Sequence, residues 1–183
     1  MKLTCRCASA EEFDAVRAFY CEMTSRMEEY EYHPKWVMGV YPNDDYLREA
    51  CENGQMYLAC AGERIVGAMV VNQSQNEGYG SVEWITAAKP DEICGIHTLA
   101  VMPDAVHQGV GRFLVENAIR VAAQMGCRVI RLDVLTGNLP ANRLYERAGF
   151  RFVRRIALYY EDTGLCDFDL YEFSLSERKL RGK

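Results

Sequence analysis

The strongest constraint on the fold is an almost uninterrupted apolar run at residues 93–102, closely followed by a helical pattern. A run of this length is expected of a central strand that is covered on both faces. After a short loop, apolar residues recur at helical spacing from Val110 onward, and the pattern ends at Gly126. A buried strand that leads into an amphipathic helix predicts a mixed α/β domain.

The rest of the sequence supplies further strands and helices around this unit. Alternating or apolar character predicts strands at residues 2–8, 56–61, 64–72, 81–87, 128–135, 150–159 and 167–175. Helical spacing and capping residues predict helices after Ser9, at about 44–52, and between Asn138 and Gly149. Residues 27–46 show neither period, because aromatic residues interleave there with glutamates and two prolines. We expect an irregular excursion in this segment.

The composition bounds the class of protein. A chain of 183 residues, 49% hydrophobic and 26% charged, can form one domain with its own core, and we expect a single domain over residues 1–183. The net charge of −5 argues against binding nucleic acid through its phosphates. No apolar run is long enough to span a membrane. The eight cysteines contain no C-x-x-C pair and the N-terminus has no secretory pattern, so we expect a cytoplasmic protein without a metal site.

Residues 108–112 form the sequence Gln-Gly-Val-Gly-Arg, at the start of the helical pattern that runs from Val110 to Gly126. Glycines allow backbone N–H groups to turn outward, and the start of a helix carries the positive end of its dipole, so the turn suits a pyrophosphate. A dinucleotide-binding fingerprint is excluded because Leu114 stands where its third glycine is required. No Gly-Lys-Ser/Thr follows, which excludes a P-loop. Taken alone, the turn is also compatible with a plain strand-to-helix connection.

A second motif lies at residues 137–150 and has the pattern Asn-x-x-Ala-x-x-Leu-Tyr-x-x-x-Gly-Phe. It follows the Leu-Ala-Val of the predicted central strand, the glycine turn, and a strand that ends in Arg-Leu-Asp-Val. In this order the motifs resemble the GNAT superfamily of N-acetyltransferases. The resemblance runs from about residue 96 to residue 153 and is looser in the N-terminal half.

The resemblance implies the GNAT fold, a mixed central sheet of about seven strands with splayed central strands, flanked by about four helices. It also implies acetyl-CoA as the donor, its pantetheine arm pairing with the central strand and its pyrophosphate on the turn amides. The residues that it assigns to the cofactor are Leu99, Ala100, Val101, Gln108, Gly109, Val110, Gly111, Arg112, Asn138 and Asn142. The chain departs from the family at Val106, where Arg or Gln is usual, and His107 and Arg112 are the candidates to supply the missing charge.

Acetyl transfer to an amine requires an acid for the departing thiolate and a donor for the thioester oxygen. The resemblance assigns the acid to Tyr145, which could otherwise be an aromatic residue packed on the sheet. Backbone N–H groups can stabilise the charge that develops on the oxygen, and Leu99 N–H is our candidate.

The reaction also requires a base, because an amine with a pKa near 10 is mostly ammonium at neutral pH. We predict His97, since strand alternation places it on the same face as Leu99 and its ordinary pKa is near neutrality. Its context, Ile-His-Thr-Leu-Ala-Val, also resembles the arylalkylamine N-acetyltransferases. A structural core histidine is the alternative, Glu83 on the predicted preceding strand is the reserve base, and a water relay stays open. Asp133 is expected to orient Arg131 or a backbone amide.

The acceptor is expected to bind at residues 27–46, because substrate sites concentrate on loops held by a rigid scaffold. Their aromatic residues suit a hydrophobic or cationic amine, although a simple hydrophobic lid is the alternative. We predict an N-acetyltransferase that moves the acetyl group to a primary amine of a small molecule. A protein acetyltransferase, a non-catalytic acyl-CoA sensor and a plain structural domain are the other hypotheses. The acyl-chain preference stays open, and a homodimer through the last strands is suggested by analogy alone.

Overall fold

The computed structural model describes residues 2–32 and 35–175. Within these residues the strands are β1 (Thr4–Cys7), β2 (Met56–Ala61), β3 (Arg64–Asn72), β4 (Ile93–Val101), β5 (Val129–Leu135), β6 (Arg151–Tyr160) and β7 (Gly164–Ser174). The α-helices are α1 (Phe13–Ser25), α2 (Asp44–Glu52), α3 (Val110–Gln124) and α4 (Leu139–Ala148). Seven strands and four α-helices in the described residues confirm the predicted mixed α/β class.

The helix ends follow the capping residues of the sequence. The Asn43 side chain accepts a hydrogen bond from Tyr46 N at the start of α2, at 2.8 Å. Asn138 caps α4 in the same way, accepting from Ala141 N at 3.1 Å. That helix ends at Gly149, whose φ of +98° is the left-handed conformation that glycine adopts without strain.

The strands form one sheet in the order β1-β2-β3-β4-β5-β7-β6. The central pair β4 and β5 runs parallel, and its neighbours pair antiparallel. Parallel pairing extends only from Ile93 to Gly95 on β4, opposite Val129 to Arg131 on β5. Beyond this point the two strands no longer pair with each other, so they splay apart and open the sheet at their C-terminal ends.

A β-bulge interrupts β4 at the edge of this opening. His97 lies opposite Val70 and Ala100 lies opposite Ala68, so two residues on β4 face one residue on β3. Thr98 has a φ of +48°, in the left-handed region that branched residues rarely occupy. The bulge therefore breaks the simple alternation from which we predicted that His97 and Leu99 share a face.

The strand predicted at residues 81–87 is wrong, because these residues are irregular. Both edges of β4 are already occupied, by β3 on one side and by β5 on the other. The half-buried Trp84 instead packs edge-on against Tyr79, with ring centroids 5.1 Å apart, and donates to the Tyr79 carbonyl. Glu83 is exposed on this segment and not on a strand.

The main core lies between the sheet and its helices, and a smaller cluster forms beneath β6 and β7 around Phe168 and Leu170. Helix α3 packs closely on the sheet at Gly67, where an added methyl group would lie 2.9 Å from Val110 Cγ1 and 3.1 Å from the Ala100 carbonyl. Among the described helices, none has the length and apolar character to cross a membrane.

Candidate active site

A cleft of about 680 Å³ lies where β4 and β5 diverge. Its walls are the end of α1 and residues 30–32, the β4 residues Leu99 to Val101, the turn before α3, and one face of α4. This volume lies within the range of roughly 300–1,000 Å³ that is usual for small-molecule and cofactor sites.

One end of the cleft is the N-terminus of α3. Gly109 caps the helix with a φ of +84°, and the first bond within the helix runs from Phe113 N to the Gly109 carbonyl. The amides of residues 110–112 therefore have no acceptor within the helix and can bind an anion. Arg112 lines the cleft and pairs with Glu116 at 2.8 Å.

Two of the residues assigned to the cofactor from the sequence do not line the cleft. The Gln108 side chain turns back and donates to the Asp104 carbonyl at 2.8 Å. The Asn142 side chain donates to Asp169 Oδ2 on β7 at 3.2 Å. The other assigned residues line the cleft: Leu99, Ala100, Val101, Gly109, Val110, Gly111, Arg112 and Asn138.

Two tyrosines of the segment 27–32, which we call the tyrosine strap, contact both sides of the opening. Tyr30 Oη donates to the Val101 carbonyl of β4 at 2.6 Å. Tyr32 Oη donates to the carbonyl of Thr136, immediately after β5, at 3.2 Å. The strap thus crosses the gap between the diverging strands, a position that the irregular sequence of this segment did not reveal.

A smaller chamber of about 170 Å³ adjoins the cleft and shares Trp36, Leu99, Asn138 and Ala141 with it. Aromatic rings form much of its wall, and three of them are Trp36, Tyr41 and Tyr160. The ring centroid of Tyr41 lies 6.1 Å from that of Trp36 and 6.3 Å from that of Tyr160. The titratable groups that line the chamber include Tyr145, His97 and Asp133, and Asp162 is a second carboxyl group in its wall.

Tyr145 projects from α4 toward this chamber. Its ring is buried and packs against Phe150, with centroids 5.4 Å apart. Burial raises the pKa of the Tyr145 phenol, and the nearby Asp133 raises it further. Tyr145 is therefore a neutral phenol at neutral pH, the form that can donate a proton.

The His97 imidazole lies back over Gly95. A methyl group on Gly95 would come within 2.5 Å of His97 Nε2, which shows how closely the ring covers this glycine. Burial lowers the pKa of His97 to about 4, so the imidazole is neutral at pH 7.

Asp133 has a different environment from the one we predicted. Tyr79 Oη and Tyr160 Oη each donate to Asp133 Oδ2 at 2.6 Å, and burial raises the pKa of the carboxyl group. Arg131, the expected partner, instead pairs with the buried Glu172 at 3.0 Å. The sequence could in principle have indicated that Asp133 lies inside the protein, because Asp133 alternates with apolar residues on a central strand.

The Arg131 guanidinium also donates to the Thr86 carbonyl at 2.8 Å and lies 4.4 Å from the Trp84 ring centroid. It therefore anchors the segment that precedes β4. Glu83, the reserve base, is exposed on that segment and lines neither cavity. In residues 2–32 and 35–175, no group of three or more His, Cys, Asp or Glu side chains is arranged to hold a metal ion.

Comparison with known proteins identifies relatives of this architecture. The model of the Acetyltransferase (GNAT) family matches residues 16–150. The mycothiol acetyltransferase of Geodermatophilus obscurus is 30% identical over 124 residues, which cover 64% of this chain and 36% of the relative. The ribosomal protein bS18-alanine N-acetyltransferase of Escherichia coli strain K12 is 30% identical over 102 residues, covering 56% of this chain and 66% of the relative.

The chain spans between 30% and 66% of the length of the first curated relatives that it matches. Among solved structures, Arabidopsis thaliana NAA60 in complex with acetyl-CoA superposes with a TM-score of 0.68. It is 17% identical in sequence, and the match covers 96% of this chain and 99% of the other. This similarity confirms the predicted fold.

Proposed function

Because the chain belongs to the acetyltransferase (GNAT) family, we propose that it transfers the acetyl group of acetyl-CoA to a primary amine of a small molecule. Acetyl-CoA supplies an activated acetyl thioester. The acceptor amine supplies the nucleophile, and the two substrates react directly while both are bound. The roles of the individual residues below are part of this proposal.

The cleft fits the donor in three respects. Its volume of about 680 Å³ suits a cofactor. The free amides at the start of α3 suit a pyrophosphate. The splayed edge of β4 offers backbone groups to the amides of a pantetheine arm, around Leu99 and Val101. Leu99 lies in the bulge without a partner on β3, and its N–H would stabilise charge on the thioester oxygen.

The observation that carries the choice of a small-molecule amine is the small aromatic chamber with a carboxyl group in its wall. The aromatic faces of Trp36, Tyr41 and Tyr160 attract a cation, and Asp133 supplies the opposite charge. A volume of about 170 Å³ admits the amine-bearing end of a small molecule. Since the chamber adjoins Leu99, an amine held there would lie beside the thioester.

Proton transfer is proposed to use Tyr145, Asp133 and His97 of the chamber. Before attack, the ammonium must lose a proton, and the candidate acceptors in the wall of the chamber include the Asp133 and Asp162 carboxylates and the neutral His97 imidazole. The geometry favours Asp133 over His97, because the His97 ring lies over Gly95. Tyr145, kept neutral by burial, would donate a proton to the departing thiolate.

A protein acceptor is the second candidate. The similarity to the ribosomal protein bS18-alanine N-acetyltransferase favours it, because the name of that relative gives a protein as its substrate. An N-terminal or lysine amine carries the same charge as a small ammonium ion and would meet the same carboxylate. Peptides therefore belong in the acceptor panel.

The experiment is release of CoA thiol from acetyl-CoA with arylalkylamines, polyamines, amino acids and short peptides as acceptors. We expect amine-dependent release, and we expect Tyr145→Phe to lower kcat by on the order of a hundredfold. If Asp133 is the base, Asp133→Asn should lower kcat more than His97→Gln does. The reverse order would identify His97 as the base. Tyr159→Phe, at an exposed tyrosine on β6, is the matched control.

The outcomes separate the hypotheses. Release with small amines but not with peptides supports the proposal, and the reverse pattern would move the acceptor to proteins. Binding of acetyl-CoA without release for any acceptor would favour the sensor. Full activity of Tyr145→Phe would refute the assignment of the acid.

A further inference from the structure

Two arginines on α4, Arg143 and Arg147, line the cofactor cleft and are exposed. They are four residues apart, so they lie on one face of the helix about 6 Å apart along its axis. In the described parts of the chain, neither side chain makes an ion pair or a hydrogen bond. The cleft therefore presents two uncompensated positive charges on one wall.

This is unusual within the molecule. The chain carries a net charge of −5, and most arginines of the described residues pair with a carboxylate. Even Arg112, which also lines the cleft, pairs with Glu116. Two unpaired arginines that face a cleft in an acidic protein indicate an anionic ligand.

The α4 arginines lie close to the anion site of α3. The two helices approach each other at Gly111, where an added methyl group would lie 3.2 Å from Leu144 Cδ2. Leu144 immediately follows Arg143, so the arginine face borders the free amides at residues 110–112. On the turn itself, Val106 lines the cleft with an apolar side chain. Of the three arginines that line the cleft, Arg112 pairs with Glu116, and the two without an ion pair among the described residues are on α4.

We propose that Arg143 and Arg147 form a subsite for the ribose 3′-phosphate of CoA, while the α3 amides hold the pyrophosphate. An arginine binds a phosphate monoester through paired, charge-assisted hydrogen bonds, and two arginines one turn apart can hold its two negative charges. The subsite makes the protein select CoA over dephospho-CoA, which lacks this phosphate. The inference rests on the proposed use of acetyl-CoA and adds the residues that recognise its nucleotide.

The test is calorimetric titration of the purified protein with CoA and with dephospho-CoA, which reports binding independently of turnover. The wild type is expected to bind CoA at least about tenfold more tightly, because charge-assisted hydrogen bonds to the 3′-phosphate are lost in dephospho-CoA. In the double variant Arg143→Gln/Arg147→Gln, the affinity for CoA should fall to that for dephospho-CoA. The affinity for dephospho-CoA should change by less than about threefold.

Arg154→Gln, at an exposed arginine on β6 outside the cleft, is the matched control and should keep the full preference. Circular dichroism and thermal melting establish that each variant is folded. If the wild type binds both ligands equally, or if the double variant keeps the preference, the subsite is refuted while acetyl-CoA remains the donor. If the wild type binds neither ligand, the proposed function fails as well.

Discussion

At the scale of single residues, burial shifts the pKa values of three titratable groups of the aromatic chamber in opposite directions. It raises the pKa of the Tyr145 phenol and of the Asp133 carboxyl group, and it lowers the pKa of His97. In each case burial disfavours the charged form. A bound ammonium ion would reverse this effect for Asp133, because its charge stabilises the carboxylate. Acceptor binding and ionisation of Asp133 are thus coupled.

The His97 environment predicts a dependence of stability on pH. The pKa of His97 is about 4 in the folded protein and about 6.5 when the chain is unfolded, so folding favours the neutral imidazole. The stabilisation is complete above pH 6.5 and is lost as the pH falls toward 4, by at most about 3 kcal/mol. Urea unfolding at pH 7.5 and pH 4.5 should therefore show a larger loss for the wild type than for His97→Gln.

His107→Asn is the control for this measurement. His107 is exposed, and asparagine tolerates its positive φ of +62°. The control should lose stability between the two pH values as the wild type does. If His97→Gln loses as much stability between the two pH values as the wild type does, burial does not lower the pKa of His97.

At the scale of helices and strands, the features that could be predicted are those specified by residues close together in the sequence. The caps at Asn43 and Asn138 marked the helix starts, and the apolar run at residues 93–102 marked the central strand. The segment at residues 81–87 has the alternation of a strand but no free sheet edge beside it. Alternate residues of this segment are half-buried, and Trp84 is so because it packs on Tyr79 and Arg131. Alternation cannot distinguish this tertiary cause from strand pairing.

The candidate site was predictable in part for the same reason. The α3 turn and Tyr145 belong to contiguous motifs, and each lies at the cleft or in the chamber. The position of the His97 ring depends on a bulge, which arises where β4 pairs with β3 and leaves no clear mark in the sequence. The role of Asp133 depends on Tyr79 and Tyr160, which lie 54 and 27 residues away along the chain.

The packing of α3 on the sheet predicts different costs at two glycines. In Gly67→Ala the methyl group would meet Val110 and the Ala100 carbonyl, so we expect a loss of about 1–3 kcal/mol in the free energy of unfolding. At Gly109 nothing lies within 4 Å, and the cost of Gly109→Ala is that of a φ of +84°, about 1 kcal/mol. Urea unfolding measures both losses.

The two causes are distinguished by rescue. Gly109→Asn should recover part of the stability lost in Gly109→Ala, because asparagine accepts the left-handed conformation. Gly67→Ser should be no better than Gly67→Ala, because its larger side chain meets the same atoms. Rescue at Gly67, or a greater loss at Gly109 than at Gly67, would contradict this account.

At the scale of the whole molecule, the sheet consists of two halves that are joined by little backbone pairing, and we call the junction between β4 and β5 the seam. The strands β1 to β4 form one half and β5 to β7 the other, and three residue pairs, from Ile93–Val129 to Gly95–Arg131, join them. Beyond this pairing, helix α3 contacts both β4 and β5, and the tyrosine strap bonds to carbonyls on both sides. The proposed donor would lie in the opening and bridge the two halves.

Donor binding should therefore stabilise the molecule across the seam. At a CoA concentration about a hundredfold above Kd, linkage gives about 2.7 kcal/mol of additional stability, which a thermal shift detects. Hydrogen exchange should show the location: the amides of Leu99 and Val101, on the unpaired edge of β4, should exchange more slowly with CoA. Adenosine 3′,5′-bisphosphate, which lacks the pantetheine arm, is the control ligand and should protect the start of α3 without protecting these amides. Equal protection of Leu99 and Val101 by both ligands would mean that the arm does not lie along β4, because the control ligand carries only the nucleotide.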